Sequence, residues 1–182
     1  MTQQDLETLF WRATMVCLGL DPDSQDQSVL KQVRISWPLS DIGNTNWGRD
    51  ENVVFLRISP NLDRYGDLHD IEYSYDDKKD EYTEIVSYHR GHSVMWVCYG
   101  PNACDYADRI RIGIQRSAIH DLLMQYNVAI QPSMRQPVRM PEQDLSGEWW
   151  ERCDLTCDCY ELDQREYAAD YTDEVPDISI ST

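Results

Sequence analysis

Apolar residues recur every three or four positions near the start of the chain. Leu6, Leu9, Phe10, Ala13 and Cys17 form one stripe, which predicts an amphipathic helix over residues 5–18. Asp5 suits its cap, and Gly19 and Pro22 end it. The pattern then dissolves over residues 20–52, where Pro22, Pro38, Gly43, Asn44 and Gly48 break it and "VLKQVRISW" offers one short strand. "NVVFLRIS" (52–59) is a buried-type strand stopped by Pro60. Residues 70–100 predict a meander with a first turn at Asp76-Asp77-Lys78-Lys79-Asp80 and a second at Arg90-Gly91. Its last strand carries Val94, Trp96 and Cys98 on one face and Met95, Val97 and Tyr99 on the other. Both faces are apolar, so the strand is expected at the centre of a sheet covered on both sides.

Residues 100–127 predict one helix, with Pro101 and Asn102 at its start. Ala103, Ala107, Ile110, Ile114, Ala118 and Leu122 form its inner stripe, Gly113 marks a bend or a close neighbour, and Asn127 suits its stop. "VAIQP" reads as a short strand, and Pro132, Pro137, Pro141 and Gly147 mark a second long loop over 132–148. "EWWERCDLTCDCYE" then alternates at period two. Cys153, Leu155, Cys157 and Cys159 point one way, and Arg152, Asp154, Thr156, Asp158 and Tyr160 the other. That is a strand about 40 Å long. Residues 163–182 read as an acidic tail ending in "PDISIST".

With 182 residues the chain suits a single domain. No apolar run is long enough to span a membrane, and the N-terminus reads as a helix rather than a secretory signal, which places the chain in a reducing cytoplasm. The formal charge of −17 argues against a surface that grips phosphates, although acidic walls let DNA slide past without sticking. Thirteen Arg stand against three Lys, beside eleven Tyr and six Trp, a balance that suits protein interfaces.

The cysteines decide between chemistry and architecture. Reduced Cys behaves as a small apolar residue, and strict alternation puts Cys153, Cys157 and Cys159 on a core face with Leu155. A structural zinc wants C-x2-C knuckles, which the C-x3-C-x-C spacing lacks. A metal or redox module built on Cys153, Cys157, Cys159 and Cys98 is the weaker alternative. A bridge between Cys157 and Cys159 would join i and i+2 positions about 6.5 Å apart, near the limit; a cross-strand or inter-subunit bridge stays open. His89 and His92 flank the Arg-Gly turn, and turn histidines are usually solvated. No catalytic or phosphate-binding motif occurs. The reading is therefore a non-enzymatic protein without cofactor.

Two blocks carry a resemblance. "WVCYGPNACDYADRIRIGIQRSAIHDLL" (96–123) joins an aromatic strand, a Y-G-P-N-A turn and a helix with A-D-x-I-R. "VRMPEQDLSGEWWERCDLTCDCYEL" (138–162) joins a P-E loop to the long strand. Together they resemble the bacteriophage neck or tail terminator family. The resemblance implies an α+β domain over 1–182, an antiparallel sheet flanked by two main helices with long interface loops. It implies a ring, commonly a homo-hexamer, at the head-proximal end of the tail. Such a ring ends tube growth and joins the tail to the neck, within a virion assembled in the host cytoplasm. Implied partners are other copies of the chain, the tail tube protein, a neck stopper protein, the sheath if the tail contracts, and genomic DNA passing through the lumen. A neck adaptor or head-completion protein is the alternative. Expected interface or lumen residues are Asp76, Asp77, Lys78, Lys79 and Asp80 at the hairpin tip, and Asp154 and Asp158 on the strand. Ile178 and Ile180 are alternate anchors with which the tail adds a strand to a neighbouring sheet edge, if the tail is ordered at all.

Overall fold

A computed structural model describes residues 1–35, 47–61, 69–78, 81–132, 134–143 and 147–169. Its frame is one sheet of seven strands, with helices on one face. Strand β2 (Val53–Pro60) pairs antiparallel with the central strand β4 (Glu81–Tyr99), and β4 pairs antiparallel with β9 (Arg152–Ala169). At one edge β1 (Val33–Ile35) runs parallel to β2; at the other β5 (Val128–Ile130) runs antiparallel to β9. Short β6 (Val138–Arg139) also pairs with β9, while β7 (Glu142–Gln143) and β8 (Trp149–Trp150) form a separate two-stranded sheet. The fold is α+β, as expected, with β1–β2 as the parallel pair that makes the sheet mixed.

α1 (Gln3–Leu18) lies where the stripe places it, with Leu6, Leu9, Phe10 and Ala13 buried. Its cap differs from the expectation. Thr2 is the N-cap and Asp5 is the third helical residue, and the two bond reciprocally in a capping box. Gly19, at φ 76°, closes the helix in the left-handed region that favours glycine. A one-turn helix α2 (Gln27–Leu30) follows.

The helix expected over 100–127 is two helices. α3 (Ala103–Gly113) and α4 (Ser117–Met124) are separated by a turn at 114–116. Ala103, Ala107, Ile110 and Ile114 are buried as the stripe predicts, but after the turn the buried residues are Ile119 and Leu123. Ala118 is exposed and Leu122 half-buried. Gly113 admits a neighbour: a Cβ there would stand 2.8 Å from Cys17 Cβ, so α1 and α3 touch at this point.

The core lies between α1, α3, α4 and the sheet, around Trp96. Its ring meets Phe10 edge to face at 6.4 Å, and its indole N–H donates to Thr14 Oγ1 at 2.8 Å, so the one polar atom of the ring is satisfied. Cys98, Cys153, Cys157 and Cys159 are buried in the same core, on the face that the alternation predicts. On the opposite face a smaller cluster gathers Trp47, Val53, Phe55, Val97 and Tyr99. β4 is thus covered on both sides at its end, as its two apolar faces require.

Two further expectations fail in the middle of the sheet. The turn at Arg90-Gly91 does not exist, and β4 runs straight through as a strand of 19 residues, roughly 60 Å long. Gly91 serves proximity instead: a Cβ there would meet the Asn61 carbonyl oxygen at 3.3 Å and Tyr160 at 3.6 Å. Residues 163–169, read above as the start of an acidic tail, are also strand. They continue β9, in register from Asp163↔Tyr88 to Ala169↔Tyr82.

Candidate functional site

Beyond the helices, β4 and β9 carry on outward and are joined by β3 (His69–Asp76), which pairs with β4 from His69↔Tyr88 to Asp76↔Glu81. The result is a three-stranded arm. Directly opposed residues share a face, so the register sorts the arm's side chains into two sets. The face continuous with the helix-covered core carries Ile71, Tyr73, Tyr75, Tyr82, Val86, Tyr88 and Tyr167, with His69, Glu84, Asp163 and Arg165 between them. The other carries Asp70, Glu72, Asp76, Glu81 and Glu166 with Ser74, Thr83, Ile85, Ser87, His89, Leu162, Gln164 and Ala168, and its strand positions in the arm hold no Lys or Arg. One face is tyrosine-rich and the other is acidic.

Where arm meets core, charged groups close the apolar layer. Glu161 is buried, at 2% exposure. It accepts from the Met1 amino group at 2.8 Å and from Arg90 at 2.7 Å, and its second oxygen lies 3.3 Å from His92 Nε2. Burial alone would raise its carboxyl pKa, but the hydrogen bonds from the amino group and Arg90 outweigh that and hold it below the usual range. Burial pushes the His92 imidazole down, more than Glu161 pulls it up. One row further out, Tyr88 donates to Asp163 at 2.6 Å, which lowers the carboxyl and raises the phenol.

The opposite end of the ladder is tied by arginine and aromatic rings. Trp47 packs on Phe55, Tyr99 and Trp150, with centroids 5.0, 5.7 and 5.9 Å away. Arg34 lies over Trp47, Arg49 over Trp150 and Arg152 over Tyr99, each 5.6–5.8 Å from the ring. Arg152 also grips Asp154 with two bonds, at 2.8 and 2.7 Å, and reaches Glu142, which accepts from the Tyr99 hydroxyl. The second apolar face of β4, with Val97 and Tyr99, calls for a cover of this kind, but Trp47 lies in a stretch without regular alternation, so the pattern does not say which residues supply it.

The expected site residues fall as follows. Asp76 ends β3, where its carboxylate accepts from the Lys78 backbone; Asp77 and Lys78 are exposed at the tip. Asp154 is buried and held by Arg152, so it is no open carboxylate. Asp158 is half-buried, opposite Ser93. Asp76, Asp154 and Asp158 do share one face of the sheet, the acidic one. Lys79, Asp80, Ile178 and Ile180 lie outside the described residues, as do parts of the expected interface loops at 36–46, 62–68 and 144–146.

The sulfurs of the long strand are spread along it, although Cys153 lies close to Cys98 and Cys104. Cys98 stands opposite Cys153, Cys157 opposite Val94 and Cys159 opposite His92, so Cys153 and Cys157 are about 13 Å apart along the strand. Burial raises the Cys17, Cys153 and Cys159 thiols to about 12, and Cys98 and Cys157 rise by the same cause. Among the described residues no three His, Cys, Asp or Glu side chains are placed to share a metal ion, and no helix is long and apolar enough to cross a membrane.

A comparison with curated proteins gave no match. The phage neck terminator protein family matches over residues 5–182, nearly the whole chain and both blocks that suggested it, and the chain belongs to that family of structural phage proteins.

Proposed function

We propose that the protein assembles as a ring at the head-proximal end of the phage tail, ends growth of the tail tube and joins the tail to the neck. A tube grows because each ring exposes a surface complementary to the next, an open-ended heterologous contact. A terminator matches that surface on one side and presents a different one on the other. The observation that carries this reading, beyond family membership, is the two-faced arm. A strand ribbon with tyrosines on one side and acids on the other suits a subunit wall between a protein neighbour and an aqueous channel. In this reading Asp70, Glu72, Asp76, Glu81, Glu166 and Asp158 face the lumen and keep DNA from sticking.

Tube protein and neck stopper are the axial partners, with the sheath added if the tail contracts. Among the described residues β3 and the outer part of β9 have no strand on their outer sides, and there residues 177–182 of a neighbour add a strand through Ile178 and Ile180. A neck adaptor would differ only in which of these partners it touches. Electron microscopy of the purified chain and of virions tests the proposal: rings in solution and density at the tail–neck junction are expected. A monomer in solution together with density at the distal tip would end it. Replacing Asp70, Glu72 and Asp158 by Lys should leave rings intact and slow DNA ejection; unchanged ejection counts against the lumen assignment.

A further inference from the structure

Three of the six cysteines meet where the helix layer joins the sheet. Cys98 in β4 stands opposite Cys153 in β9, and Cys104, in the first turn of α3, lies close to both. α3 packs on the two strands, with Ala103 and Ala107 in the core. Cys104 and Asp108 are one helical turn apart, so they share a side of α3, and both come near Cys153. The Cys153 thiol donates a hydrogen bond to the Cys104 sulfur. Cys104 is the one exposed cysteine of the six, whereas Cys98 and Cys153 are 0% and 1% exposed.

The strand pairing decides which two sulfurs can join. The Gly100 N–H donates to the Glu151 carbonyl oxygen, which makes Gly100 and Glu151 a hydrogen-bonded pair. Cys98 and Cys153 stand two residues along each strand and are the next such pair. Their Cβ atoms are then about 5.5 Å apart, beyond the roughly 3.5–4.5 Å of a disulfide. Both are also sealed from solvent. Cys104 is free of that spacing. Its side chain comes from the helix layer, and its sulfur meets solvent on one side and Cys153 on the other.

We propose that Cys104 and Cys153 are a redox-active pair that a low-molecular-weight disulfide closes into a bridge, clipping α3 to β9. The Cys104 thiolate attacks one sulfur of the small disulfide. That S–S bond breaks, a mixed disulfide forms on Cys104, and the departing thiolate takes up the proton Cys104 lost. Cys153 then attacks Cys104 Sγ, and its proton goes to the second departing thiolate. Two protein thiols are oxidised, and one small disulfide is reduced to two thiols. Burial, with Asp154 and Asp108 nearby, keeps the Cys153 thiol protonated, so the second step is the slow one. The pair stays reduced inside a cell and closes on a released particle, where disulfides persist.

The test treats the full-length chain with excess oxidised glutathione, follows its intact mass, and maps the linked peptides after free thiols are blocked. A glutathione adduct on Cys104 should appear first and decay into a Cys104–Cys153 bridge. The melting temperature should then rise by roughly 5–10 °C and return on reduction with dithiothreitol. Cys98→Ala should still form the bridge. Cys104→Ser replaces an exposed side chain and should fold like the unmodified chain, yet form neither adduct nor bridge at Cys153. An adduct that persists on Cys104 of the unmodified chain overturns the proposal, as does a Cys104 that does not react. A bridge from Cys153 to Cys98, or from Cys104 to Cys104 of another copy, overturns the assignment of the pair. A Cys104–Cys153 bridge that leaves the melting temperature unchanged overturns the clip.

Discussion

Between Gly91 and Tyr99, β4 is mostly buried, with helices on one side and the Trp47 cluster on the other; between Glu81 and Arg90 it is exposed or half-buried. β9 changes in the same way, from Cys153, Leu155 and Cys159 at 1% exposure or less to a run of exposed residues from Gln164 to Ala168. The backbone pairing is continuous across the change. What differs is the side-chain layer, and with it the source of order. Burial holds the inner half, whereas the outer half is held by cross-strand pairs and has a surface left over for something else. Glu161, Arg90 and His92 mark the border.

The sharpest break in the comparison is Trp96→Ala. It removes a fully buried indole, its edge contact with Phe10 and its bond to Thr14, and should cost about 3–5 kcal/mol of unfolding free energy. Denaturant unfolding measures it, and a loss below 1 kcal/mol would mean the core is not centred there.

Glu161→Gln should cost about 2–3 kcal/mol, because Arg90 and the amino terminus lose a buried counter-charge. The pH dependence has a definite sign. Glu161 titrates lower in the folded than in the unfolded chain, so its contribution is present above the unfolded value and lost as pH falls through the folded one. His92 is also depressed from its ordinary 6.5, so the unfolded chain takes up its proton first and stability falls as pH drops below about 6.5. His92→Asn should flatten the upper part of that curve, and Glu161→Gln the acid limb. A stability that rises on acidification contradicts both.

Gly113→Ala should cost about 1–2 kcal/mol, since its Cβ would press on Cys17 in the α1–α3 contact. That glycine also shows where the sequence was hard to read. The stripe Ala103–Ile110–Ile114–Ala118–Leu122 keeps helical spacing through the 114–116 turn, so periodicity alone cannot see the break. α1, β2 and the buried run of β9 were legible because one face of each is covered and the alternation or stripe is clean. Arg90-Gly91 looked like a turn because glycine is used there for close approach to Asn61. Residues 163–169 looked like loose tail because side chains from Gln164 to Ala168 on both faces are exposed, so no apolar alternation survives. The tyrosine–acid division of the arm was invisible for a different reason. It is a property of the register across three strands, and no single segment carries it.

The smallest effect belongs to the arm itself. Tyr75 and Tyr82 are direct cross-strand partners with ring centroids 4.7 Å apart, the kind of pair that stabilises a ladder by about 0.2–1 kcal/mol. Tyr82→Ser should therefore lower global stability by less than about 1 kcal/mol. Local opening is a more sensitive measure. Amides near Tyr75 and Tyr82 should exchange with solvent with little protection in the isolated chain, while Val94–Cys98 should need nearly global unfolding. The substitution should speed exchange only in the outer rows. If it also speeds exchange at Cys98 or Leu155, arm and core form one cooperative unit. If the outer rows are already as protected as the core in a monomer, burial by a neighbour is not what orders them.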